Sequence, residues 1–158
     1  YRHMVRRDGY EPEVVEAVVS AGFDRVHRLR ERIHQLSRFV SGSRQFENLS
    51  LTAKRVTNIL RNQAASVEVD PSLFQDPSEA ALWEMCQAAE KQILEYLQRA
   101  CYEEALSLMA GLAGPVDDFF EGVEILTRDA KLRENRLALL EHLQRLFLTF
   151  ADFSKLSV

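Results

Sequence analysis

Apolar residues recur at helical spacing in several segments of this chain, and the faces they form limit how it can fold. Between about Asp24 and Val40 the apolar positions are 3, 4, 3 and 4 residues apart: Val26, Leu29, Ile33, Leu36 and Val40. Such spacing places them along one face of an α-helix. A second set ends the chain, behind a candidate N-cap at Asp129: Leu139, Leu140, Leu143, Leu146, Phe147 and Phe150. Both faces must be buried against other elements.

Start signals for two further helices divide the middle of the chain. Asp76-Pro77-Ser78-Glu79 predicts an N-cap at Asp76, a proline in the first turn and a capping box closed by Glu79. Ser50 or Thr52 is the predicted cap of the helix before it. The linker between the two helices is expected to be anchored by its apolar side chains: Val67, Val69 and Leu73.

These patterns together predict an all-α fold, a single bundle of about seven helices. Gly and Pro are few, with 6 and 4 in 158 residues, and no stretch alternates with period two for long enough to demand a sheet. We expect residues 1–9 to be the tail of an upstream helix and residues 10–158 to form the domain. Because Tyr1 already lies in a helical pattern, we expect the chain to be a fragment of a longer polypeptide.

The charge is distributed unevenly along the chain. Residues 1–63 carry 12 Lys and Arg against 7 Asp and Glu, whereas residues 64–158 carry 8 against 17, for a net charge of −4. A basic first half on an acidic chain places any anionic partner on the first half. A solvated charge pattern without a partner is the alternative.

The residues that carry catalysis or bind metals form no recognisable group. Cys86 and Cys101 lack paired zinc spacing and are predicted to be buried thiols of a reduced, cytoplasmic protein. No apolar run approaches the roughly 18 residues of a membrane span. Asp117, Asp118 and Glu121 are expected to complement a helix dipole. We therefore expect no catalytic residue, no metal and no cofactor in this chain. The four histidines are scattered: His3, His27, His34 and His142.

One amphipathic segment, residues 53–62, is the best candidate for binding a partner. Its apolar residues, Ala53, Val56, Ile59 and Leu60, fall on one arc of a helix. The opposite arc carries three cations and two carboxamides: Lys54, Arg55, Asn58, Arg61 and Asn62. Cations suit RNA phosphates and carboxamides can pair with base edges. An ordinary solvated face is the alternative.

Three stretches carry a resemblance to a known family. They are residues 54–60, residues 114–123, and residues 133–140 with the following 146–148 and 151–154. In order and spacing they resemble the C-terminal region of the bacterial glycyl-tRNA synthetase beta subunit, its DALR-type anticodon-binding domain. Gly9-Tyr10, followed by a Val-rich and then an Arg-rich helix, fits the same pattern. The resemblance covers essentially the whole chain.

The resemblance implies a fold, a partner and a parent activity. It implies a helical anticodon-binding domain that contacts tRNA-Gly and is non-catalytic by itself. The parent enzyme would join glycine to its tRNA with ATP and Mg, in a tetramer of two alpha and two beta subunits with catalysis in the alpha subunit. Glycine anticodons contain two fixed cytosines, whose amino groups need acceptors such as Asn58, Asn62 or Gln63. No membrane or DNA partner is expected.

Further basic and aromatic residues extend the candidate surface. Arg133, Asn135 and Arg136 begin the last helix, where backbone N–H groups also favour anions; the alternative is that Asn135 or Arg136 clamps a helix end inside the fold. A looser basic face is formed by Arg25, Arg28, Arg32 and Arg38. Two aromatic side chains could stack on bases, although core packing is the alternative: Phe39 and Phe46.

Two other functions compete with this interpretation. One is the related DALR domain of arginyl-tRNA synthetase, and the other is a helical protein-interaction scaffold with no RNA role. Salt-sensitive binding of an anticodon stem-loop would separate an RNA-binding module from a scaffold.

Overall fold

A computed structural model of the chain describes residues 11–20, 26–42, 44–61, 63 and 67–155. Over these ranges the fold is all-α, with seven helices and two 3-10 turns, at Pro71–Leu73 and Phe153–Lys155. The all-α prediction is confirmed. The predicted helix tail at residues 1–9 lies outside the described residues. The helices are α1 (Pro12–Ser20), α2 (Val26–Gly42), α3 (Arg44–Leu60), α4 (Pro77–Gln98), α5 (Tyr102–Ala110), α6 (Ala113–Gly122) and α7 (Ala130–Leu148).

Helix α3 lies at the centre of the packing. It contacts α2, α5, α6, α7 and the second 3-10 turn. Leu49, Ala53 and Val56 are buried, and Ile59 and Leu60 pack half-buried against the same core. The apolar arc predicted for this segment is therefore the side that docks, and its opposite arc faces outward.

The end of α7 and the chain beyond it form an aromatic centre for the core. Phe150 and Phe153 stack at 6.3 Å between ring centroids, and Phe147 meets Phe153 edge to face. Tyr102 on α5 packs edge to face against Phe150. All six apolar residues predicted to be buried in this region are buried.

The predicted cap of α3 is wrong. The helix begins at Arg44, so Ser50 and Thr52 lie inside it, and both are buried. The Ser50 hydroxyl donates to the carbonyl of Phe153 at 3.3 Å. Serine is a common N-cap residue, but the Ser50 hydroxyl forms a tertiary hydrogen bond instead. Val67 was predicted to anchor the linker, but its side chain is 43% exposed.

The predicted caps of α4 and α7 are confirmed. Asp76 accepts from the Ser78 amide while Glu79 accepts from the Asp76 amide, which completes the capping box. The hydrogen bonds from Ser78 lower the pKa of Asp76. Because the pKa of Asp76 is lower in the folded state, its ionised carboxylate stabilises the fold at pH values above the ordinary pKa of Asp. This contribution is lost as the pH falls through the lowered pKa. Asp129 accepts from the amides of the first turn of α7.

Gly122, the last residue of α6, lies against the cap of α4. A Cβ at this position would come within 2.8 Å of Asp76 Oδ1 and Ser78 Oγ, whereas a Cβ on Gly114 of the same helix would meet nothing within 4 Å. We expect Gly122→Ala to lower the free energy of unfolding by about 1 kcal/mol, because the cap must shift. Gly114→Ala is the control and should leave stability unchanged or raise it by up to about 1 kcal/mol. Urea unfolding of both variants checks this; equal midpoints would contradict the close contact.

Candidate nucleic-acid interface

The polar arc predicted above consists of side chains on and just after α3, which we call the α3 strip: Lys54, Arg55, Asn58, Arg61 and Asn62. Those members that the structure describes lie on the outward side of the helix. Arg55, Asn58 and Arg61 are exposed and Lys54 is half-buried. Asn62, the fifth predicted member, lies outside the described residues. Gln63, which follows the helix, is exposed. The cations of the strip therefore lie on the outward side of the helix, as the sequence predicts.

Two members of the strip are held together. Arg61 Nη2 donates to Asn58 Oδ1 at 3.1 Å, a contact between residues one helical turn apart. A carboxamide oxygen has two lone pairs, so Asn58 Oδ1 can still accept from a base amino group. Leu51 lies one turn before Lys54 and Arg55 on the same face and is 53% exposed. Sequence analysis did not include it, although its position on the helical wheel was visible.

Arg55 is positioned by α6. Its guanidinium carbon lies 4.0 Å from the centroid of the Phe120 ring, and Nη1 lies 3.7 Å from Asp117 Oδ1. These two contacts fix the orientation of the guanidinium plane. The Arg55 side chain is still 51% exposed, so the plane remains reachable. Such a plane is a stacking surface for an unpaired base.

The role expected for the acidic residues of α6 is wrong. Neither Asp117 nor Asp118 lies in the first turn of α6, so complementing the helix dipole does not explain them. Asp117 instead forms an ion pair with Arg55 across the α3–α6 contact. This carboxylate partly balances the strip at one edge.

The predicted group on α7 has contacts within the fold. Arg133, half-buried, donates to the Thr127 carbonyl at 3.1 Å. Asn135 is buried, accepts from the Asp70 amide at 2.7 Å and donates to the Asp70 carbonyl at 3.0 Å. Asn135 therefore fastens the linker to α7. RNA contact by either residue stays a prediction, but burial of Asn135 favours the clamp.

Arg136 is also buried and joins three parts of the fold. Its Nη1 donates to the Glu124 carbonyl at 2.7 Å, and its Nη2 lies 3.4 Å from Glu79 Oε1 in the capping box of α4. Glu79 is only 1% exposed. This geometry supports a structural role for Arg136, and an RNA contact by its side chain stays a prediction.

The looser basic face is only partly a surface. Arg32 is buried: its Nη1 donates to the Thr149 carbonyl at 2.6 Å, and its guanidinium lies over the rings of Tyr102 and Phe150. Its expected role in guiding RNA is wrong. Arg38 is exposed. Arg25 and the side chains of Arg28 and Phe39 lie outside what the structure describes, and Phe46 packs half-buried against the core.

A groove on α7 was missed by sequence analysis. Its volume is about 460 Å³, within the range of small-ligand sites. α7 contributes Ala138, Glu141, His142 and Arg145, α4 contributes Trp83, and the linker contributes Val67, Glu68 and Val69. These residues come from three segments far apart in sequence, so no local motif signalled them.

Among the described residues, no group of His, Cys, Asp and Glu is arranged to hold a metal ion. No described helix has the length and apolar character needed to cross a membrane. Cys86 is buried, which raises the pKa of its thiol to about 12, while Cys101 is only half-buried.

Comparison with known proteins shows the class to which this chain belongs. The chain belongs to the DALR anticodon binding domain family, whose model matches residues 49–152. It is similar to the glycine–tRNA ligase beta subunits of Acidithiobacillus ferrooxidans, at 39% identity over 153 residues and 96% of this chain, and of Geotalea daltonii, at 39% over 150 residues and 95%. That of Syntrophotalea carbinolica is 36% identical over 155 residues and 98% of the chain. The chain spans about 22% of the length of each relative. The resemblance found in the sequence is confirmed.

Proposed function

We propose that this chain is the anticodon-binding module of a glycine–tRNA ligase beta subunit and that it holds the anticodon loop of tRNA-Gly against the α3 strip. The match to an anticodon-binding family supports tRNA as the ligand, and the similarity to glycine–tRNA ligase beta subunits supports glycine as the amino acid that this tRNA carries. The whole protein would then work in the cytoplasm with an alpha subunit, in an assembly of two alpha and two beta subunits. That enzyme would use ATP with Mg, bound outside this chain.

One observation carries the proposal: the strip lies outward on α3, inside the region that the family model matches. Lys54 and Arg61 make no ion pair within the described part of the chain. Both cations are therefore available to phosphates. Asn58 and the guanidinium plane of Arg55 supply hydrogen bonding and stacking for unpaired bases.

The proposal requires binding that weakens with salt. We expect an anticodon stem-loop of tRNA-Gly to bind the full-length protein with log K falling linearly in log salt. Two phosphate contacts to a single-stranded loop, by Lys54 and Arg61, predict a slope of about −1.4. A hairpin with the same stem but a short loop lacking the anticodon is the control and should bind more weakly. Equal binding of the two hairpins would contradict the proposal, and so would binding that does not respond to salt.

A further inference from the structure

The groove on α7 has walls of two kinds. Trp83, Val67 and Val69 supply its apolar lining, and Glu141 and Arg145, one turn apart on α7, supply charged groups. Glu141 is half-buried and Arg145 is exposed. A flat ring could contact the apolar wall while its polar edge meets the carboxylate, and a phosphate could remain outside near the cation.

The aromatic wall is held in place. The Trp83 and His142 rings pack edge to face, 5.1 Å apart at 67°, and His142 Nε2 lies 3.1 Å from Glu90 Oε2. Trp83 is half-buried, so part of its surface remains open to the groove. A positioned, partly exposed indole is a stacking surface that costs little ordering when a base binds.

The polar groups select among bases. Cytosine presents an exocyclic amino donor to which a carboxylate can accept, whereas uracil presents an oxygen at the same position. Glu141 projects from a regular helix, while Glu68 lies exposed on the linker. Glu141 is thus the better placed acceptor of the two.

We propose that this groove binds one unpaired cytosine of the RNA loop, stacked on Trp83 and read by Glu141, with Arg145 meeting an adjacent phosphate. This inference rests on the proposed function and adds a second contact to it. It adds discrimination between cytosine and uracil by α7 to the phosphate and base contacts of the α3 strip.

The groove and the α3 strip can be reached by one RNA loop. Gln144, beside Arg145 on α7, donates to Thr57 Oγ1 on α3 at 3.4 Å. Val67 follows Arg61 by six positions in the chain, so their Cα atoms are at most about 22 Å apart. A few nucleotides of single-stranded RNA can span such a distance.

The test compares cytosine and uracil in the loop. Full-length protein and its Glu141→Gln variant are titrated with the tRNA-Gly anticodon stem-loop and with two versions in which each fixed cytosine is replaced by uridine. We expect Glu141→Gln to weaken the parent hairpin about tenfold. At one of the two cytosine positions, the ratio of the variant's affinity for the cytosine hairpin to its affinity for the uridine hairpin should approach 1. The reason is that a glutamine amide can donate to the uracil oxygen. The salt slope should not change, since no phosphate contact is lost.

Matched variants guard against an indirect effect. Glu84→Gln removes an exposed carboxylate next to Trp83 in sequence but outside the groove, and it should bind like the parent. Trp83→Phe keeps a smaller ring and should weaken binding less than Trp83→Ala, with folding checked by circular dichroism. Unchanged preference for cytosine in Glu141→Gln would overturn the groove assignment while leaving the α3 contact intact. The double variant Lys54→Glu with Arg61→Glu tests the proposed function separately, since that function requires it to lose salt-sensitive binding.

Discussion

Replacing Arg136 with methionine is expected to lower the free energy of unfolding by about 3–5 kcal/mol, because it leaves a buried carboxylate without its cation. Glu79 is 1% exposed and its Oε1 lies 3.4 Å from Arg136 Nη2. The substitution also removes the 2.7 Å hydrogen bond to the Glu124 carbonyl. Methionine fills much of the volume, so a cavity contributes little. Urea unfolding measures the effect.

The double variant Glu79→Met with Arg136→Met is the control. Arg136 Nε and Glu79 Oε2 are buried without a hydrogen-bond partner in the described structure, so the pair is incompletely satisfied. Removing both charges should therefore recover most of the loss, apart from about 1 kcal/mol for the capping box. A single Arg136→Met variant within about 1 kcal/mol of the parent would show that the pair does not control stability.

Reversing two charges on the α3 strip is the second large change. We expect Lys54→Glu with Arg61→Glu to weaken binding of the tRNA-Gly stem-loop about 100-fold near 0.1 M salt, and the salt slope to flatten by about 1.4 as two phosphate contacts are lost. Arg61 is exposed and Lys54 is half-buried on the outward face, so the thermal unfolding midpoint should change little. Filter binding across a salt series measures both quantities.

The matched control changes the net charge by the same amount elsewhere. Lys91 lies within α4 and Arg99 directly follows its last residue, and both are exposed. Neither belongs to the α3 strip or to the groove. Lys91→Glu with Arg99→Glu should therefore reduce affinity only slightly, through long-range repulsion. Equal losses in the two double variants would mean that overall charge, rather than the α3 surface, governs binding.

The parts of the fold that could be predicted depend on residues near one another in sequence. The seam of α7 and the caps at Asp76 and Asp129 are set by helical spacing and by hydrogen bonds within one turn. The outward direction of the α3 strip followed from the same periodicity. The family resemblance gave the class of ligand, which periodicity alone does not.

The parts that could not be predicted depend on partners far away in sequence. Ser50 contacts Phe153 across 103 positions, and Asn135 contacts Asp70 across 65. Arg32 lies against rings from α5 and the residues after α7. A polar residue on a helical wheel looks solvated until such a partner is known. The sequence therefore predicts a cap at Ser50 and a surface position for Arg32, and it leaves open whether Asn135 contacts RNA or clamps a helix end. The groove around Trp83 was missed for the same reason.

A nuclease and chemical footprint of tRNA-Gly on the full-length protein locates the RNA on its surface. We expect the anticodon loop to be protected, with protection lost in Lys54→Glu/Arg61→Glu and retained in Lys91→Glu/Arg99→Glu. Equal protection of that loop by the parent and the α3 double variant would contradict this expectation, because the loop would then lie on a different surface.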